Sequence, residues 1–381
     1  MKYNFDKVID RSGTSAEKVE GLKHIWGRTD LIPLWVADMD FATAPFVTDA
    51  IRKRCENEVL GYTGKPDSYY NAIINWVKQR YDLIVTKEVI NFVPGIVPGI
   101  GMAMNCFTQK GDKVMIQPPV YHPFAWVTTR NERTLVINPL KWENGMYRMD
   151  LDAFREQIKG CKLFILCNPH NPGGVVWTEA ELRAIADICY DEKVLVFSDE
   201  IHADLTLPPH THRPFATVSE KARMNSVTFM SPSKAFNMPG LSASHALIFN
   251  EDLRKRFRIY MDAGELDMGH VFAFLSVEAA YSHGTEWLDQ CLAYIQGNID
   301  FVDEFLKKHA PKIKAIRPEA SYLVWLDCRE LELSQKDLNE FFVDKAHLAL
   351  NDGEMFGKEG IGFMRLNVVS PRCIIEKAMK Q

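Results

Sequence analysis

At 381 residues the chain is longer than one hydrophobic core usually grows, so two domains are expected. Apolar residues at 46% and charged residues at 25% are ordinary globular proportions and exclude a disordered or collagen-like chain. A net charge of -5 gives no electrostatic reason to expect nucleic acid or an anionic membrane as partner.

Residues 1–11 mix charges into every few positions and lack the apolar stretch of a signal peptide. No run of about 18 apolar residues suggests a transmembrane helix, and a cytoplasmic protein is expected. The eight cysteines are scattered, mostly within apolar runs, and none forms a CxxC pair. They read as buried thiols of a reducing compartment.

Along the chain, Pro45 suits the first turn of a helix that carries Phe46, Val47, Ala50, Ile51 and Cys55 at helical spacing. Short β-branched or apolar runs follow at 89–93, 114–116, 163–167, 194–197 and 227–230, alternating with longer amphipathic segments. That alternation is the mark of βαβ units around a mostly parallel sheet. Thr178 with Glu181 three residues on forms a capping box, and Leu182, Ile185, Ala186 and Cys189 line one face of the helix it opens. Residues 275–309 read as helix with few breaks, and 322–327 and 363–369 as strands. The expected fold is α/β, a mostly parallel central sheet with helices on both faces plus a smaller α+β domain. Residues 46–284 would form the large domain, and 1–45 with 285–381 the small one.

In open parallel sheets ligands gather at the carboxyl ends of the strands. Three such ends are polar here: Asn168-Pro169-His170-Asn171-Pro172, Ser198-Asp199-Glu200-Ile201-His202 and Ser231-Pro232-Ser233-Lys234. Alone, Asp199 reads equally as a turn or capping residue, and Lys234 as a solvated surface charge. Together they match the two electronic requirements of pyridoxal phosphate (PLP) chemistry: an amine that forms an imine with the aldehyde, and a carboxylate that keeps the pyridine nitrogen protonated. Gly95-Ile96-Val97-Pro98-Gly99 ends one strand and opens an apolar helix, whose free amides suit a phosphate; a tight strand-to-helix turn explains the same residues. Ser231 and Ser233 add hydroxyl donors. Tyr121 follows another strand end and suits either stacking on a cofactor ring or a place in the core. His210-Thr211-His212 lacks nearby ligands of zinc-site spacing, and no metal is expected.

These motifs occur in the order in which they stand in the fold-type I, class I/II aminotransferase superfamily, which the chain resembles over nearly its whole length. Trp35-Val36-Ala37-Asp38-Met39-Asp40-Phe41, Gly61-Tyr62-Thr63, Gln117-Pro118-Pro119-Val120-Tyr121 and Tyr322-Leu323-Val324-Trp325-Leu326-Asp327 are similar to the MalY/PatB branch, the cystathionine β-lyase and cystalysin-like C–S lyases. The resemblance implies that Lys234 carries PLP, that Asp199 pairs with the ring nitrogen, and that Asn171 binds the phenolic oxygen. It also implies that Tyr121 stacks on the ring and that the amides of Ile96 and Val97, with Ser231 and Ser233, hold the phosphate. Arg365, within Gly362-Phe363-Met364-Arg365-Leu366-Asn367, would grip the substrate α-carboxylate. Tyr62 would be supplied to the neighbouring subunit's site, which implies a homodimer.

Typical aminotransferases of the superfamily place an arginine shortly after the PLP lysine, where this chain has Gly240-Leu241-Ser242. Its absence favours the lyase-like branch. Ala235 and Pro239 also depart from the usual pattern and bear on cofactor tuning. The implied activity is β-elimination from cystathionine or other cysteine S-conjugates. An aminotransferase of small amino acids on the same scaffold is the nearest alternative, and a regulatory protein that keeps the fold is another.

Overall fold

The computed structural model describes residues 2–381. A seven-stranded sheet lies at its centre: β1 (Ile90–Val93), β2 (Lys113–Ile116), β3 (Thr134–Ile137), β4 (Leu163–Cys167), β5 (Leu195–Asp199), β6 (Ser226–Met230) and β7 (Ser244–Leu247). The order across the sheet is β1-β7-β6-β5-β4-β2-β3. β7 runs antiparallel to both of its neighbours, β1 and β6, and the other adjacent pairs are parallel.

The helices include α1 (Pro45–Cys55), α2 (Ile96–Phe107), α3 (Glu179–Asp191), α4 (Val271–His283) and α5 (Thr285–His309); α2 and α3 pack on opposite faces of this sheet, α1 packs against α4, and α5 packs against Lys314–Ile316. Strand β4 shows why its sequence lacks polar alternation. Phe164 and Leu166 pack in one cluster with Ile185 and Cys189 of α3, while Leu163 and Ile165 pack in another with Ile100 and Ala103 of α2. Both faces are covered, as in parallel sheets generally. Thr178 caps α3 by accepting the Glu181 N–H at 3.2 Å, and the Glu181 carboxylate accepts the Thr178 N–H at 2.8 Å, so both halves of the capping box form.

The helix expected over 275–309 is two helices, broken at Gly284. A Cβ there would stand 2.2 Å from the Ala280 carbonyl oxygen and 2.4 Å from the Phe236 ring, so only glycine fits the junction. The thiols also divide differently from expectation. Cys161, Cys167, Cys189, Cys291 and Cys328 are buried and Cys106 is half-buried, but Cys55 and Cys373 are exposed, since each lies on the outer side of a helix that covers the core with its other face.

A second sheet, antiparallel and four-stranded, joins β8 (Lys314–Ile316), β9 (Leu323–Asp327), β10 (Asn351–Asp352) and β11 (Phe363–Asn367) in the order β8-β9-β11-β10. The chain's early segment runs alongside it. Ile32–Pro33 pairs in parallel with Leu348–Ala349, the Asn367 N–H donates to the Leu34 carbonyl, and the Asn367 side chain donates to the carbonyls of Val36 and Asp38. Residues 34–40 are thereby laid past Arg365 toward the end of the large sheet. No helix among the described residues is long and apolar enough to cross a membrane.

Candidate active site

The site begins with strand register. Asp199 stands opposite both Cys167 and Phe229, so β4, β5 and β6 end within one residue of one another and the residues after them meet at one edge. A cavity of about 290 Å³ opens there. Its walls include Ile96, Val97, Tyr121, Asn171, Asp199, Ser233 and Lys234, seven of the residues singled out from the sequence. A larger groove of about 850 Å³ adjoins it and shares Pro239, but carries neither Lys234 nor Asp199 on its walls.

Asp199 is buried at the tip of β5, and its Oδ1 accepts the N–H of Ile201 at 3.1 Å. Burial pushes its carboxyl up to about 7, with Glu200 adding to the rise and Lys234 opposing it. A buried acid so placed lacks a cation in hydrogen-bonding contact. Lys234 shows the reverse effect. Burial lowers its amine to about 8, against the upward pull of Asp38 and Asp199 and with a further downward push from Arg365. Its Nζ donates to the carbonyl of Ala37 at 2.5 Å.

Arg365 comes from β11, where it pairs across the sheet with Trp325 and Asn351. One terminal nitrogen donates to Asn171 Oδ1 at 3.2 Å; the other donates to Asn351 Oδ1 at 2.5 Å and to the Trp35 carbonyl at 3.0 Å. The guanidinium lies over the Phe356 ring, 4.8 Å from its centroid. Its Nε is buried without an acceptor. Burial lowers its pKa to about 10, which still leaves a full positive charge at neutral pH.

The remaining expected residues are placed less uniformly. Helix α2 starts at Ile96 behind Gly95, whose φ of +134° suits glycine, and the first amides of a helix have no acceptor within it. Ser233 lines the cavity, whereas Ser231 stands behind it and donates to the Ala243 carbonyl at 2.8 Å. Tyr62 is 97% exposed and far from filling this cavity within its own chain. His212 belongs to a buried pair with Glu200, Nε2 to Oε2 2.8 Å, behind Asp199.

Sequence reasoning assigned no role to several residues that belong to the site: Ala37, Cys167, His202, Ser242 and Ser244 on its walls, and Asn351 beside Arg365. His202 carried a signal, three residues beyond Asp199 at the same strand end; it is buried, its pKa lowered by burial to about 3, and its Nδ1 has no partner. Ala37 and Asn351 carried none, because they arrive through register contacts between segments far apart in sequence.

The donor set fits PLP. A buried carboxyl without a cation faces the cavity opposite a buried amine, and unpartnered helix-start amides occupy another wall. Comparison with known proteins agrees with this chemistry. The family model for aminotransferase class I and II matches residues 29–378. Cystathionine beta-lyase PatB of Bacillus subtilis is 39% identical over 380 residues, 99% of this chain and 98% of that protein. The PLP-containing crystal structure of cystalysin from Treponema denticola superposes with a TM-score of 0.96 at 33% identity, covering 100% of this chain and 98% of that one. A PLP-bound protein of Clostridium difficile, provisionally assigned as an aminotransferase, superposes with a TM-score of 0.97 at 40% identity, covering 100% and 98%.

Proposed function

The chain belongs to the aminotransferase class I and II family, and from that premise we propose how its site works. It is a PLP-dependent C–S lyase acting on a small amino-acid substrate. The substrates we assign to it are cystathionine and related cysteine S-conjugates, cleaved to pyruvate, ammonia and a thiol. The observation that carries this reading is the convergence of Lys234, Asp199 and Asn171 on the walls of one strand-end cavity, with Arg365 behind the wall and bonded to Asn171.

When bound, PLP supplies the electron sink that accepts the pair left on the α-carbon after proton removal. The rest is done by the chain. Asp199, buried and poised to ionise near neutral pH, holds the proton of the ring nitrogen. The amides of Ile96 and Val97, with Ser233 beside them and Ser231 behind, hold the phosphate, Asn171 holds the phenolic oxygen, and Tyr121 covers the ring face. Arg365 receives the α-carboxylate with its planar fork. Lys234 takes the α-proton; a pKa of about 8 leaves a useful share of free amine at neutral pH. Departure of the thiolate from the β-carbon then completes the elimination.

Tyr62 completes the site of a second copy in a homodimer. Its 97% exposure, beside the exposed Val59 and Leu60, supports this reading, because an apolar loop tip of this kind suits burial against a partner. The competing activity is transamination on the same residues, favoured by the Clostridium difficile relative and opposed by Ser242 in place of the arginine usual after the PLP lysine. Incubating the purified protein with L-cystathionine and no keto acid, and measuring pyruvate, tests the assignment; no pyruvate without a keto acid rejects it.

A further inference from the structure

Behind the Ala37 carbonyl lies a cluster of four charges that the reaction as described does not use. Arg11 donates to Asp38 at 2.6 and 3.1 Å and to Asp40 at 3.0 Å. The Lys18 side chain, 0% exposed, places Nζ 2.8 Å from Asp40 Oδ2, 3.8 Å from Asp38 Oδ1 and 3.5 Å from the Asp38 carbonyl. Ser370 donates to Asp40 at 2.5 Å. A lysine wholly removed from water is costly unless closely paired, so the arrangement holds residues 38–40 to a narrow range of positions.

Those residues are the continuation of the carbonyl that meets the base. Ala37 accepts from Lys234 at 2.5 Å and from the Tyr322 hydroxyl at 3.0 Å. Asn237, three residues beyond Lys234, ties the same segment from the other side, accepting from the Met39 N–H and donating to the Met39 and Phe41 carbonyls. A cluster that served only to anchor the N-terminal segment would need no relation to Lys234. Here Asp38 is the strongest of the charges that favour the protonated lysine.

We propose that Asp38, held between Arg11 and Lys18, is a positioning residue for Lys234: it sets the place of the Ala37 carbonyl that the amine meets and keeps a fixed anion next to that carbonyl while Lys234 acts as base for the α-proton. The inference rests on Lys234 being that base. The charged groups that face the amine are Asp38 on the segment before α1, Asp199 at the end of β5 and Arg365 on β11; Tyr322, Tyr121 and His202 present neutral polar groups. Asp38 and Asp199 favour the ammonium, and Arg365 opposes it. During turnover Lys234 becomes an ammonium as it takes the α-proton, so a fixed anion beside it favours that step.

The test uses the PLP-loaded protein and follows exchange of the α-proton of L-alanine with deuterated solvent, which needs the base and no leaving thiol. It therefore reads the proposal even where pyruvate release, the test of the lyase assignment, fails. Asp38→Asn removes a charge that favours the ammonium, so the acid limb of the exchange rate moves to lower pH by about one unit, while the maximal rate falls several-fold to about tenfold because the base is weaker. Arg11→Gln removes a cation that offsets Asp38, so its limb moves to higher pH. Opposite shifts, with wild-type cofactor absorption in both variants, support the proposal. Limbs that stay at the wild-type position, or that move in the same direction in both, overturn it. If Asp38→Asn does not fold, Arg11→Gln decides alone: a shift to higher pH supports, and an unmoved or lowered limb overturns.

Discussion

Arg365 and Asn171, 194 positions apart in sequence, are joined by a hydrogen bond of 3.2 Å from the guanidinium to the amide oxygen. The contact couples the group assigned to the substrate carboxylate with the group assigned to the cofactor's phenolic oxygen. Arg365→Lys keeps the charge but loses the planar fork that reaches Asn171, Asn351 and Trp35 together. Charge-assisted hydrogen bonds of this kind are worth about 1.5–3 kcal/mol, so kcat/KM for elimination should fall roughly 10- to 100-fold. Steady-state kinetics with retained cofactor absorption checks this; an unchanged kcat/KM would remove Arg365 from the substrate site.

Among the described residues Lys234 is the one amine on the cavity wall, and burial lowers its pKa to about 8. The PLP-loaded protein should be yellow, and borohydride should fix the cofactor covalently on Lys234. Lys234→Ala should abolish pyruvate release while leaving thermal unfolding close to wild type, since its main polar contact is a single bond to the Ala37 carbonyl. Wild-type turnover in this variant would refute the assignment.

Asp199 gives a pH dependence with a definite sign. Its carboxyl is raised from 3.8 to about 7 by burial, so the native state favours the protonated form. That contribution to stability is fully present below the ordinary carboxylate pKa and is lost as pH rises through about 7. The difference is on the order of 4 kcal/mol before relaxation of the site is allowed for. In cofactor-free protein the Tm of Asp199→Asn minus that of wild type should therefore climb as pH rises from the ordinary carboxylate pKa of 3.8 to about 7, and level off above it. With PLP bound, the wild-type carboxylate has its cation and the climb should flatten. Thermal scans from the ordinary carboxylate range up past neutrality decide; a gap that does not vary with pH over that range would contradict the placement of Asp199.

Much of this site was legible because its chemistry sits directly after strands that announce themselves. The apolar run Leu163–Cys167 and the β-branched residues within Ser226–Met230 predict strands, and polar residues at their ends become candidates by position alone. Ala37, Asn351 and the carbonyl of Trp35 were not legible, because a backbone oxygen or an amide on a two-residue strand leaves no pattern in sequence. Their place follows from Ile32–Pro33 pairing with Leu348–Ala349 and from Asn351 pairing with Arg365. The break at Gly284 was missed for a similar reason: the apolar rhythm of α4 and α5 continues past it, and only the close approach of Phe236 demands glycine.

Tyr62 has a solvent exposure of 97%, so any catalytic role for it requires a second copy of the chain. Tyr62→Phe and Lys234→Ala dimers, each impaired, should regain activity when mixed under exchange conditions, because a heterodimer then carries one intact site. Titration of pyruvate release against mixing ratio gives the readout. Full wild-type activity in a monomer at low concentration would contradict the arrangement.

Reaction choice is the remaining question, and the fate of the electron pair at the α-carbon decides it. After Lys234 removes the proton, two exits compete: a group leaves from the β-carbon, or the lysine returns the proton to the cofactor side. A thiolate is a good leaving group, since thiols ionise near pH 8.5, whereas alanine offers nothing to expel. Cystathionine, cystine or cysteine should therefore yield pyruvate and ammonia without a keto acid, with transamination a slow side reaction. Alanine should undergo only slow transamination, and that trace decides nothing. Amino-group transfer that outpaces pyruvate release from every sulfur-containing substrate tried, with strict dependence on an added keto acid, would reassign the protein as an aminotransferase.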